Sequence, residues 1–381
     1  MTSQYEGILQ LVRTAITGKT DPLPTDFSVA DAARLIRRHG VETLAYYGAT
    51  NCGVSKSEPG MQALYQGCVR QMLIAERQQG QIEKLLVSFR ENGIDALPLK
   101  GMVLRALYPK PEMRRMGDAD ILIHAEQYSK IKPLLEAMGY THVSRTDHEI
   151  AWHHPHLRLE LHTRLVPERN KELFNYFGDG WHRARRQMEH SYAMSPEDTL
   201  IFLIAHVAKH YTAGGMGILQ FVDLWLYTRA NPQMDQEYIR KELKKIQLDK
   251  FYTCVMQMLG IWFEQRPWDS LSLEMTEFIL ESGCYGTHRN HALAQGAKQK
   301  SKARRIWASV FPGYAEMKLR YPVLERLPIL LPATWFVRGG NILLFHRNRV
   351  ARKTHDLKIA TDNNIQMLQK HLEAIGLRSS L

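Results

Sequence analysis

The chain has 381 residues, 44% of them hydrophobic, four cysteines and a formal net charge of +11. That length suits two or three domains of about 100–200 residues each, and the apolar share is that of a globular chain with its own core rather than a disordered one. Cys52, Cys68, Cys254 and Cys284 lack C-x-x-C spacing, so neither a zinc site nor a disulfide framework is implied and a reducing cytoplasm is the expected setting; the positive balance favours an anionic partner such as a nucleotide, a nucleic acid or an acidic membrane surface.

Residues 1–18 hold an acidic side chain, Glu6, and no long apolar run, so a signal peptide is not expected there. Apolar residues at helical spacing predict helix over 27–48, broken at Gly40, and again over 61–92, with a polar Gly/Pro-containing linker at 51–60 between them. Residues 1–92 thus read as an N-terminal helical region. Ile94 to Leu99 reads as a short buried strand whose Pro98 suits an edge. Lys100-Gly101 then turns the chain into a short helix over Met102 to Tyr108. Such a turn presents backbone N–H groups to an anion, and Lys100 adds a point charge suited to phosphate. In Met113-Arg114-Arg115-Met116 the two arginines suit either nucleotide phosphates or nearby acids.

The next segment, Gly117-Asp118-Ala119-Asp120-Ile121-Leu122-Ile123, carries the most chemical information. Residues two apart on a strand share a face, so Asp118 and Asp120 lie together while Ala119 and Ile121 point into a core. Paired carboxylates repel unless a cation sits between them, and Mg²⁺ prefers one or two carboxylates plus substrate phosphates. A helix is expected over 127–138, then extended chain from His148 to His154, a turn at His154-Pro155-His156, and a strict alternation from Leu157 to His162. There Arg158, Glu160 and His162 share one face. A strand carrying Glu160 beside the aspartates would bring three carboxylates to one site, which suits a two-metal phosphoryl transfer with the third acid holding metal or accepting a proton.

Residues 93–190 are therefore the expected core, a small mixed sheet with helices, and 191–381 a helical C-terminal domain, giving an α+β chain overall. Ser195-Pro196-Glu197-Asp198 is a helix start signal, and further helices are expected at 217–230, 235–246, 248–264 and 271–281. Two basic runs follow, Lys298 to Arg305 and His346 to Arg349. Their commonest meaning is a solvated face. The apolar stretch Leu327 to Val337 contains two prolines and is far short of the ~20 residues of a spanning helix, so no transmembrane segment is expected.

With Lys100-Gly101, Asp118-Ala119-Asp120 and Glu160 in place, the chain resembles the nucleotidyltransferase superfamily that includes DNA polymerase beta. More closely it is similar to the bacterial family of uncharacterised nucleotidyltransferases, through Leu99-Lys100-Gly101, Arg114, Gly117-Asp118-Ala119-Asp120 and Glu160-Leu161-His162, and through later features at His206, His210, Phe311-Pro312, Arg320-Tyr321-Pro322, Leu331-Pro332 and Trp335. Met102 stands where relatives often carry a small residue such as Ser, and Glu160 where many carry Asp. The resemblance implies a nucleotidyltransferase moving a nucleoside monophosphate, AMP being the first candidate, from a nucleoside triphosphate (NTP) to a hydroxyl or phosphate acceptor with release of pyrophosphate. Asp118, Asp120 and Glu160 would hold Mg²⁺ or Mn²⁺. Lys100, Gly101 and Arg114 would hold the triphosphate, with His162, His206 and Lys209 as further contacts. The acceptor stays open among a small molecule, a peptide or protein, and an RNA end. Two other readings stand beside it. His206 and His210, four apart on a helix, with Asp223 and His162, would suit a metal-dependent phosphohydrolase, although Val207 breaks the zinc-protease pattern. A non-catalytic nucleotide-binding protein is the third.

Overall fold

The computed structural model describes residues 1–284, 286–297, 311–345 and 361–378. These fall into two compact units, one comprising Met1–Lys209 with Met216–Cys284 and the other His210–Gly215 with Tyr285–Leu381. Both basic runs singled out in the sequence, 298–305 and 346–349, lie outside the described residues.

The first unit is α+β. It opens with helices α1 (Ser3–Thr17), α2 (Val29–His39), α3 (Glu42–Asn51) and α4 (Met61–Glu91). Gly40 ends α2 at φ +65°, the left-handed geometry that favours glycine, and this is the predicted break. β1 (Leu97–Leu99) then leads into α5 (Gly101–Leu104), followed by β2 (Ala119–Leu122), α6 (Tyr128–Ala137), β3 (Thr141–Arg145), β4 (Glu149–His154) and β5 (Leu157–His162). The five strands form one mixed sheet in the order β1-β2-β5-β4-β3, with β2 and β5 parallel and the other neighbours antiparallel. Pro98 sits on the edge strand, as its missing N–H requires.

One face of the sheet is apolar. Ile121, Trp152, Leu159 and Leu161 pack with Ile82, Leu85 and Phe89 of α4 and with Ile131 and Leu135 of α6, all buried. Each such side chain contributes about 1.5–3 kcal/mol through the water-accessible area it loses. The opposite face is the one that carries Asp120, Glu160 and His162.

Three strands have no counterpart in the predicted elements. β3 was masked by composition, since all five of its residues are exposed on the far edge. β6 (Ala184–Met188) and β7 (Ser191–Met194) form a separate hairpin; Ala96, just before β1, bridges to it at Ser191. After α7 (Lys171–Phe177) and this hairpin the chain turns helical, with α8 (Pro196–Ala213), α9 (Ile218–Ala230), α10 (Gln236–Lys245), α11 (Asp249–Glu264) and α12 (Ser270–Ser282), each within a few residues of its expected bounds. Ser195 caps α8 by accepting from the Asp198 N–H at 3.1 Å.

His39 ties α2 to α9 and α12. It is fully buried, donates from Nε2 to the Leu280 carbonyl at 2.9 Å, and accepts at Nδ1 from the Ile218 N–H at 3.4 Å. Burial, helped by the neighbouring Arg38 charge and only partly opposed by the Leu280 bond, pushes its pKa down to about 4. The unfolded chain therefore binds a proton below pH 6.5 that the folded chain refuses until about pH 4. The stability this neutral imidazole contributes is complete above pH 6.5 and is lost as pH falls through that window, by about 3 kcal/mol in all. Thermal unfolding followed from pH 7 to pH 4 should fall less steeply in His39→Gln than in the parent protein; equal slopes would contradict the assignment.

In the second unit the helices are His288–Ala297, Tyr314–Arg320, Val323–Arg326, Leu331–Phe345 and Asp362–Ala374. Tyr211 and His371 are both buried there and bonded at 2.8 Å. Among the described residues no helix is long and apolar enough to cross a membrane.

Candidate active site

The register of β2 against β5 builds the site. Asp120 lies opposite Glu160 and Leu122 opposite His162 on parallel strands, so the acid of one strand sits beside the acid of the other. Ligand atoms of Asp120, Glu160 and His162 all lie within 4.8 Å of one another, the one group of three or more potential metal ligands among the described residues. Asp118, at the mouth of β2 and half-buried, stands outside that trio. It acts on it through charge, adding to the upward push on Glu160.

Lys100 faces the trio from the other side. Its backbone is left-handed, φ +44°, an unusual geometry for a residue with a side chain. Its ammonium donates to Asp120 Oδ1 at 2.6 Å, and His162 Nε2 bonds the same oxygen at 2.8 Å. The next residue has to be glycine. A Cβ on Gly101 would come within 2.7 Å of Arg114 Nη1 and 3.0 Å of the Met116 side chain.

Arg114 is fixed in turn. It is buried and donates from Nε and Nη2 to both carboxylate oxygens of Asp223 on α9, at 2.9 and 2.8 Å. Tyr108 Oη adds a third bond to Asp223 Oδ1 at 2.8 Å. Such two-pronged pairing fixes geometry as well as supplying energy. Asp223 therefore does not join His206 and His210 as a metal ligand: its oxygens are already held by a guanidinium and a phenol. That corrects the phosphohydrolase ligand set drawn from the sequence, in which nothing signalled a partner 109 residues upstream.

Electrostatics divide the acids. Burial would raise the Asp120 carboxyl, but the Lys100 ammonium and the His162 bond outweigh it and hold Asp120 well below the usual carboxylate range. Asp118 goes up, through burial and the Asp120 charge. Glu160 is pushed up to about 7 by burial, Asp118, Asp120 and Glu149, with Lys100 opposing. The sheet face thus carries more negative charge than Lys100 neutralises, the condition that a divalent cation relieves.

One group on this face escaped the sequence reading, and a second, Arg158, was placed on it without its bond to Glu160. Glu149 pairs with His162 across β4 and β5 and adds its charge to the field at Glu160; the period-2 spacing of Glu149 and Ala151 was the available signal. Arg158 bonds Glu160 Oε1 at 3.2 Å through an exposed side chain. From α8, Lys209 senses the site: burial first, then the Lys100 and Arg169 charges, lower its pKa to about 8, while Glu149 and Asp120 oppose. His206, one turn earlier, has its ring 6.4 Å from that of Phe202. His210 is counted with the second unit.

A carboxylate–imidazole trio with Asp120 and His162 buried, Glu160 half-buried and a lysine on Asp120, on a strand entered through Gly-Asp-x-Asp, is the setting in which the comparison with known families decides. The model of a family described as uncharacterised nucleotidyltransferase matches residues 25–264. The chain belongs to this family. No curated protein and no solved structure matches it. The matched span contains the whole sheet, the trio, the Lys100-Gly101 turn and the Arg114–Asp223 clamp. The protein is thus a nucleotidyltransferase, an enzyme whose class takes an NTP as substrate.

Proposed function

We propose that this nucleotidyltransferase transfers a nucleoside monophosphate, AMP in the first instance, from an NTP to a hydroxyl or phosphate acceptor and releases pyrophosphate. The observation that carries the reading is the convergence of Asp120, Glu160 and His162 within 4.8 Å on one sheet face. Hard carboxylate oxygens suit Mg²⁺ or Mn²⁺, and the surplus negative charge fits a cation there. Asp118, Asp120 and Glu160 would hold it, with His162 kept in place by its bond to Asp120. A bound divalent ion supplies charge neutralisation to the triphosphate and lowers the cost of the developing negative charge.

The chain's own groups account for the remainder. Lys100 holds Asp120 ionised and presents a fixed positive charge beside the trio. Gly101 keeps the turn close enough for its N–H to meet a phosphate oxygen. Arg114 backs that turn, with its guanidinium committed to Asp223, and contributes to triphosphate binding through position more than contact. Lys209 and His206 are the proposed contacts from α8, with Lys209 adding positive charge opposite the acids. Glu160, its pKa near neutrality, is suited to take the proton of the acceptor hydroxyl.

Incubating the protein with each radiolabelled NTP, Mg²⁺ and a cell extract tests this, by asking which molecule gains label and whether pyrophosphate appears. Label transfer that needs Asp118 and Asp120 supports it. Failure to bind any NTP in calorimetry with Mg²⁺ would return the chain to the non-catalytic reading. Metal binding has its own readout. Mn²⁺ at about 100 times its dissociation constant should stabilise the fold by about 2.7 kcal/mol, seen as a rise in unfolding temperature that EDTA reverses and Glu160→Gln reduces. An unchanged melting curve would count against the trio as ligands.

A further inference from the structure

A second set of metal-ligating side chains shares His162 with the trio. It is looser, its atoms spreading beyond the 4.8 Å of the first group. Glu149 opens β4 directly opposite His162 on β5, and the bend before β4 adds His148. The two imidazole rings lie 6.2 Å apart, centre to centre. Two imidazoles on one Zn²⁺, each nitrogen about 2.0–2.1 Å from the metal, hold their ring centres about 5–6 Å apart. A small closure therefore brings both rings to one ion.

Each histidine has one nitrogen already committed to a carboxylate. His162 Nε2 donates to Asp120 Oδ1 at 2.8 Å. Its Nδ1 is buried and has no hydrogen-bond partner among the described residues, in a side chain whose residue is 3% exposed. The two nitrogens of an imidazole face nearly opposite ways. Nδ1 therefore turns from β2, which carries Asp120, toward β4, the other neighbour of β5, which carries Glu149. His148 repeats the pattern. Its Nδ1 donates to Asp147 Oδ1 at 3.1 Å, and the second oxygen of Asp147 accepts the Glu168 N–H at 3.1 Å. That fixes the ring and leaves Nε2 facing Glu149 Oε2 at 3.4 Å. Two ligand atoms on one tetrahedral Zn²⁺ stand about 3.3 Å apart.

A neutral ring that gives its hydrogen to a carboxylate presents a lone pair at its other nitrogen. Glu149 thus meets two such lone pairs, and three electron-pair donors facing one space call for a cation. An imidazole held by an acid behind it is also the form in which histidine binds metal, because the acid fixes the tautomer and raises the basicity of the free nitrogen. Mixed nitrogen and carboxylate ligands suit Zn²⁺, whereas Mg²⁺ takes oxygen.

We propose that His148, Glu149 and His162 bind a transition-metal ion, Zn²⁺ in the first instance, with Asp147 and Asp120 orienting the two rings. The fourth position is left to water. The ion braces His162 from the β4 side and so steadies Asp120, which the same ring bonds on the β2 side. The site does not depend on the transfer reaction.

The test uses the full-length protein, stripped with EDTA and titrated with Zn²⁺ against a chromophoric chelator without nucleotide. The parent protein should take up one equivalent that depends on His148. His148→Ala should weaken binding by more than Asp147→Asn does, for which loss of an orienting partner predicts about 10–100-fold. Glu149→Gln keeps the shape of the side chain and should also release the ion, so a folding defect in His148→Ala, read by circular dichroism, does not decide the outcome. Asp118→Asn should retain the ion whatever it does to transfer, which separates this site from the enzymatic reading. No uptake by the parent protein, or equal affinity in the parent, His148→Ala and Glu149→Gln, overturns the proposal. So does an ion that Glu160→Gln releases and His148→Ala leaves in place, since it then sits in the trio.

Discussion

Asp120→Asn is expected to lower nucleotidyl transfer by at least about 10²–10³-fold, the scale of losing one preorganised electrostatic contact at a reacting centre, and by more where a metal ligand is lost with it. The amide keeps the shape of the carboxylate and still offers an oxygen to Lys100 and His162, which bond Asp120 Oδ1 at 2.6 and 2.8 Å. The fold should therefore survive, and the unfolding temperature measured alongside separates chemistry from collapse. Two further consequences follow from the same charge change. Lys100 is half-buried and owes its raised pKa to Asp120, whose attraction overrides the cost of burial; with a neutral partner that support weakens. Glu160, which Asp120 helps push up to about 7, should ionise more readily. A melting curve shifted by Mn²⁺ as much in the variant as in the parent would show that residue 120 is not a ligand. Full transfer activity in Asp120→Asn or Asp118→Asn would remove the site altogether.

What was legible in advance follows the range of the physical signal. The period-2 alternation of Leu157 to His162 gave a strand and its two faces, and the helical spacing of Ile131, Leu134, Leu135 and Met138 gave α6, because both patterns are imposed by neighbours within a few residues. The fold class and the sharing of one face by Glu160 and His162 came from the same source. Which strand lies beside which is a long-range property. That a strand carrying Glu160 lies beside the aspartates was carried only as a condition, and the parallel run of β2 and β5 with Asp120 opposite Glu160 was not foreseen. β3 was invisible because an exposed edge strand, Thr141–Arg145, imposes no apolar face on its sequence. The left-handed backbone of Lys100 was equally hidden, since a lysine in that geometry is held by its surroundings. Asp223 was misread for the related reason that its role is set by Arg114, 109 residues away: a carboxylate near two histidines looks like a ligand until its partner is known.

That misreading yields the second large effect. Asp223→Leu should destabilise the protein by about 3–5 kcal/mol, because it leaves the buried Arg114 guanidinium without its counter-charge. The companion Tyr108 hydroxyl loses its acceptor at the same time, and a buried donor left unmade adds to the cost. The pair should behave as a unit. Arg114→Met/Asp223→Leu, which replaces both charges with apolar groups, should be more stable than Asp223→Leu alone, and a double-mutant cycle by denaturant unfolding would report the coupling. Strictly additive losses would mean that the two side chains stabilise the fold separately. The clamp also reaches the active site, since Arg114 Nη1 lies 2.7 Å from where a Cβ on Gly101 would be and Gly101 follows the lysine that holds Asp120. In the double variant, transfer should fall while the Mn²⁺-dependent stabilisation persists, because no ligand has been removed. Loss of metal binding in that variant, with its fold intact, would instead make Asp223 a ligand and reopen the hydrolase reading.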